Sequence, residues 1–194
     1  MSGAGTGFAG HFEPKKPVPT LPFRRDQTQQ AHPTMLTLAA IAFDDAERLL
    51  ARFGLVLAIV ADGEPIPGSY WGDCEAGVIG YTVYARGDTP VHSLLHEACH
   101  LIVLPTERRA GVHTDATDSI AEENAVCVLQ ALLGDQLPDV GRDRVLADMD
   151  AWGYTFRLGS AAAYVEHDAE DAWAWLHEHG LIDQKHVLLL PAGD

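Results

Sequence analysis

The sequence predicts an α+β domain in which a small, mainly antiparallel sheet supports two crossed helices, with a helical C-terminal part closing over them. Two short runs rich in β-branched and aromatic residues, Leu55 to Val60 and Ala76 to Arg86, supply the strands. Two long apolar helical periods follow, one ending at Leu104 and one at Leu133, and after Gly134 only helical patterning recurs. With 194 residues and 47% hydrophobic content, the chain can bury a core without covalent staples.

Residues 1 to about 33 combine Gly, Pro and Gln with the pairs Lys15-Lys16 and Arg24-Arg25 and have no hydrophobic period. They read as an extended or disordered arm ahead of one domain over residues 34–194, and Pro17, Pro19 and Pro22 favour extended backbone in that arm. From Thr34 to Phe53 the spacing of Leu38, Ile41, Ala42, Leu49 and Phe53 predicts a helix stopped by Gly54. The strand Leu55 to Val60 comes next, then a turn-rich loop through Asp62-Gly63 and Pro65 to Gly72. In the second strand, Ala76 to Arg86, Gly77 and Gly80 permit a close approach or a bulge.

Asp88-Thr89-Pro90 forms a helix entrance: Asp88 or Thr89 can accept from orphan amides, and a first-turn proline has no amide to waste. That helix runs to about Leu104, where Pro105 ends it, and a second spans about Asp118 to Leu133. Further helices are expected over Arg142 to Trp152, Ser160 to His167 and Ala169 to His179.

A formal charge of -15 leaves too little positive surface to track phosphates, so nucleic acid is not an expected ligand. The three cysteines are too few and too far apart for a disulfide framework, which points to a reducing cytoplasm. Met1 to Gly10 lacks a basic leader, and no apolar run is long enough to cross a bilayer. Oligomeric state is left open by the sequence.

The chemistry concentrates in His96-Glu97-Ala98-Cys99-His100. Residues four apart on a helix lie about 6 Å along the axis and nearly on one face, so His96 and His100 can converge on one cation, expected to be a single zinc ion. Glu97 is rotated about 100° from His96, beside the ion, where a general base can take a proton from water. Leu94, Leu95, Leu101 and Ile102 supply the apolar back of the same helix. His92 continues the spacing, but its ring starts about 12 Å from His100 along the axis, too far to share the ion. It reads as a first-turn polar residue or an outer contact.

A third ligand must come from another element. Glu122 and Glu123, near the start of the apolar run Ser119 to Cys127, are the leading candidates, since an acid on a buried helix face needs a partner. Ser119-x-x-Glu122 also reads as a capping box, which would occupy Glu122 and pass the ligand role to Glu123. His113, in the linking loop, is a further candidate.

The order strand, His-Glu-x-x-His helix and acid-bearing helix, from about Gly77 to Leu133, resembles the gluzincin zinc metallopeptidases. The compact ImmA/IrrE-like and minigluzincin proteins are the most similar. The resemblance implies a zincin-like fold, hydrolysis of peptide bonds in a peptide or protein substrate, Glu122 as third ligand and Ala125 as the small residue between the helices. It also implies that the strand before the metal helix pairs edge to edge with an extended peptide. Val126 departs from the pattern, standing where an Asn or Asp would bond to a ligand histidine.

Oxyanion donors are expected from Trp152-Gly153-Tyr154-Thr155-Phe156-Arg157, with Tyr154 and Arg157 as the candidates and His113 as a third. Cys99 and Cys127 sit on the two facing helices, where small buried free thiols suit a tight contact. Two other readings stand beside the peptidase: an amidase similar to peptide deformylases, taking a cysteine ligand from the upstream Cys74, and a regulatory or binding module that keeps the metal without catalysis.

Overall fold

The computed structural model describes residues 35–117 and 119–191, so the arm expected over residues 1–33 lies outside the described residues. In chain order the elements are α1 (Phe43–Ala51), β1 (Val56–Ile59), β2 (Gly77–Ile79), β3 (Thr82–Ala85), α2 (Val91–Val103), α3 (Thr106–Arg109), α4 (Ile120–Gly134), α5 (Arg142–Trp152), α6 (Ala161–His167) and α7 (Glu170–Glu178). The class is mixed α+β, as expected. Among the described residues no helix is long and apolar enough to cross a membrane.

Several expectations are corrected. The helix predicted from Thr34 to Phe53 is split into a 3-10 turn at Leu38–Ala40 and the shorter α1. Its first residues form long-range bonds instead: Leu36 N–H donates to Asp148 Oδ2 at 2.9 Å, Leu36 O accepts from Val91 N at 2.8 Å, and Leu38 N–H donates to Thr89 O at 2.9 Å. These bonds satisfy main-chain groups through tertiary pairing, which overrides a weak helical period. They also change the entrance to α2. Pro90 is the N-cap with no side-chain cap, and Thr89 Oγ1 accepts from Arg86 N.

The predicted second strand is a hairpin, β2 and β3, turning at Gly80 with φ 60°. The sheet is mixed, in the order β1-β3-β2, with β1 parallel and β2 antiparallel to β3. It is therefore not mainly antiparallel. As the central strand, β3 has no free edge for an extended peptide. The outer edge of β2 is engaged as well, because Val78 N–H donates to Gly68 O and Val78 O accepts from Thr114 N.

Gly77 is required by that packing. A Cβ there would stand 2.3 Å from both Pro67 O and Ser69 N, inside contact distance of main chain that cannot swing away. The close approach fixes the loop from Pro67 to Ala76 against the sheet.

Helix α4 is the centre of the core. Every residue from Ala125 to Gly134 is buried, and the helix packs against α2, α5 and α7. A helix apolar on all sides is stable only when surrounded. Helix α2 buries Leu94, Leu95, Ala98, Cys99 and Leu101 completely. Its histidine stripe is left on the remaining side.

Gly77→Ala is expected to lower unfolding free energy by about 2 kcal/mol or more, read as a lower urea midpoint at unchanged slope.

Candidate metal centre

Helices α2 and α4 bring three side chains to one point. His96 Nε2 and His100 Nε2 are 3.0 Å apart, and Glu123 places Oε1 3.6 Å from the first and Oε2 3.4 Å from the second. Among the described residues this is the group of His, Cys, Asp or Glu able to hold a metal ion, with ligand atoms within 4.8 Å of one another. Ligands on a tetrahedral zinc with bonds near 2.1 Å stand about 3.4 Å apart, which matches these separations. The residues present therefore fit the ion.

The acid in this position is Glu123, and Glu122 is turned to other work. Ser119 caps α4 by accepting from Glu122 N–H, and the Glu122 carboxylate takes a short hydrogen bond from Thr117 and faces Arg108 at 3.3 Å. With about 100° of rotation per residue, only one of two adjacent acids can point into the α2–α4 seam. Glu123 shares its face with Cys127 and Gln130, and all three act on Tyr154.

Glu97 lines the same cleft, a cavity of 680 Å³. Its carboxyl is pushed well above the ordinary range by burial and by the neighbouring charges of Glu75, Glu123 and Asp115. Burial lowers His96 to about 3 and His100 to about 4, which keeps both rings neutral with a lone pair to offer. Among the described residues no lysine or arginine lines the cleft.

Tyr154 reaches the centre because of a backbone reversal. Gly153 closes α5 at φ 106°, and Tyr154 N–H donates to Met149 O at 3.1 Å. A left-handed glycine after the last turn is the usual helix stop, and here it swings the next ring back to 5.8 Å from His96. Burial raises the Tyr154 phenol well above its ordinary value, so it stays protonated as a donor.

Arg157 and His113 are not brought in. The Arg157 guanidinium pairs with Asp168, with Nε 3.0 Å from Oδ2. His113 is exposed, its main chain bridging to Ile79 and its Nδ1 lying 3.1 Å from Thr114 Oγ1. Neither lines the cleft. Cys74 also lies outside its lining, beside Asp88 and Arg86, so nothing supports a cysteine ligand from that segment. All three cysteines are free, and burial raises the Cys99 and Cys127 thiols well above their ordinary value.

Both Nδ1 atoms, of His96 and His100, are buried without a hydrogen-bond partner among the described residues. Val126, apolar and fully buried, cannot supply the bond that an Asn or Asp would make. Glu75 and Asp115 also line the cleft without having carried any periodic signal in the sequence, whereas Trp152, a further lining residue, begins the aromatic segment expected to supply donors. His92 did carry a signal, its four-residue spacing from His96.

Comparison of the chain with protein-family models, with curated proteins and with solved structures finds no match in any of the three.

A zinc titration against a competing chelator separates the two acids. Glu123→Ala is expected to weaken binding by at least about a hundredfold, and Glu122→Ala by less than about tenfold.

Proposed function

We propose that this chain is a zinc-dependent peptidase whose metal is held by His96, His100 and Glu123. The observation that carries the reading is the convergence of those three groups at 3.0 to 3.6 Å beside Glu97, in an open cleft and not in a closed core. Bound there, the ion would act as a Lewis acid, polarising an amide carbonyl and making water acidic enough to attack near neutral pH.

The chain's own residues then have separable tasks. Glu97 takes the proton of the attacking water and delivers it to the leaving amine, so water and amide become an acid and an amine with no other reactant. A carboxyl whose proton affinity is raised by burial suits both halves of that transfer. Tyr154 donates its phenolic proton in a hydrogen bond to the developing oxyanion, and its raised pKa keeps that proton in place. A metal held only for structure has no need of an acid such as Glu97 at its side, which favours catalysis over a binding module.

The reading carries over the resemblance of the His-Glu-x-x-His helix to gluzincins, with the ligand acid moved by one residue to Glu123. The substrate main chain is not expected to pair with β3, which lies between two strands.

Glu97→Gln should retain zinc within about threefold while losing about 10² to 10⁴ in kcat on a cleaved peptide. Tyr154→Phe should cost about 10² in kcat with a smaller change in KM. Full turnover in the Glu97→Gln protein would overturn the mechanism, and a zinc-loaded wild type inert toward broad peptide libraries would overturn the peptidase assignment.

A further inference from the structure

We propose that Tyr70, Trp71, Ile120 and Trp152 form an apolar mouth to the cleft, which selects peptides carrying a large aromatic or aliphatic side chain within a few residues of the bond to be cut. The proposal deepens the peptidase reading and rests on it.

All four residues line the cleft, and each is between 37% and 53% exposed, so they stand where the cavity meets solvent. Among the described residues Trp71 and Trp152 are the exposed tryptophans, while Trp173 and Trp175 pack partly buried against the core. Three elements supply the mouth, and each holds its residue in place. Tyr70 and Trp71 meet edge to face with ring centroids 4.8 Å apart. Their loop is fastened by bonds from Trp71 N–H and Ser69 Oγ to Glu75 Oε1 and from Gly72 N–H to Ser69 Oγ at 2.9 Å. Ile120 is the first residue of α4, three before Glu123, hence about 5 Å from it along the axis and on nearly the same face. Trp152 ends α5 and lies 5.3 Å from the ring of His92, a residue one helical turn before His96.

Large apolar side chains left half in water around one cavity mark a place where apolar area is buried on binding. Tryptophan and tyrosine bury much area with only two side-chain torsions to fix, and a loop already fastened loses little freedom when a ligand arrives. The occupant that fits is the substrate of the proposed reaction. The side chains of His96, His100 and Glu123 are less exposed than the mouth and lie deeper. A peptide laid across the cleft would therefore offer an amide to the polar interior and its side chains to the apolar mouth. A cavity of 680 Å³ has room for both. An acidic side chain is disfavoured, because Glu75 and Asp115 line the cleft and, among the described residues, no lysine or arginine does. The net charge of -15 acts in the same direction.

The test uses the zinc-loaded full chain and matched fluorogenic peptides carrying phenylalanine, leucine, alanine or glutamate at each of the positions flanking the bond in turn. At one or more of these positions we expect kcat/KM to favour phenylalanine and leucine over alanine by about ten- to a hundredfold, with glutamate lowest. Trp71→Ala and Trp152→Ala should each shrink that preference to about threefold or less, while cleavage of the alanine peptide stays within about threefold of wild type. Trp71→Phe, which keeps an aromatic face, should restore most of the preference. Ile120→Ser should act in the direction of the alanine variants, and it decides the matter if either of them fails to fold by circular dichroism. Binding of the labelled peptides to zinc-loaded Glu97→Gln protein, read by fluorescence anisotropy, should follow the same ranking without turnover. Cleavage of all the peptides alike would overturn the apolar mouth and leave the peptidase standing. Apolar-selective binding that depends on Trp71 and Trp152, with no peptide cleaved, would keep the mouth and overturn the peptidase. Binding without side-chain preference, or a preference untouched by the variants, would overturn the mouth. So would a wild-type dimer in sedimentation velocity that Trp71→Ala dissolves, since a second copy would then cover these residues.

Discussion

The packing of α2 against α4 is the contact on which the rest depends. Both helices are apolar at the seam, and Ala98, Cys99, Ala125 and Cys127 are small enough to let the backbones close while excluding water. At one end the seam opens, and there two imidazoles and one carboxylate face one another. Polar groups in that position have lost water on the core side and keep a single open direction, toward the cleft. Burial accordingly pushes both imidazoles toward the neutral form and Glu97 toward the protonated one. The same packing that stabilises the domain thus prepares groups ready to share a cation.

Around that seam, other elements serve as placement. The Gly68–Gly77 approach pins the loop carrying Glu75, and Gly153 reverses the chain so that Tyr154 returns over His96. The strap from Leu36 to Leu38 joins the start of α2 to Asp148 of α5, and Arg144 bonds that same buried carboxylate. The beginning of the described chain is therefore tied to the helix whose end supplies the aromatic wall of the cleft.

The strongest periodic signals were legible in the sequence. Helices α2, α4 and α5 fall within a few residues of expectation because their apolar spacing, Pro105, Gly134 and Gly153 mark real ends. The histidine pair was legible for the same reason, since four-residue spacing on a helix fixes a shared face without knowledge of the fold. What depends on tertiary partners was not. The split before α1 follows from bonds to Val91 and Asp148, and the parallel pairing of β1 follows from where a long loop returns. The choice between Glu122 and Glu123 turned on rotation about one helix axis. The capping signal of Ser119 pointed to the outcome, while the family pattern pointed to the neighbouring residue.

The unpartnered Nδ1 atoms give the candidate centre a distinctive balance. Ligand histidines are usually oriented by a bond to the second nitrogen, and where the described residues supply none, rotation is limited by packing. Here the two rings stand perpendicular with centroids 4.6 Å apart, His96 lies edge-on to Tyr154, and Leu95 and Cys99 fill the helix face behind. Orientation held by contact resists rotation over short distances but does not raise ligand basicity as a hydrogen-bonded carboxylate would. A metal at such a site would be bound less tightly and would remain more electrophilic. More of the work of lowering the reaction barrier would then fall on the ion itself, and less on the strength with which the protein holds it.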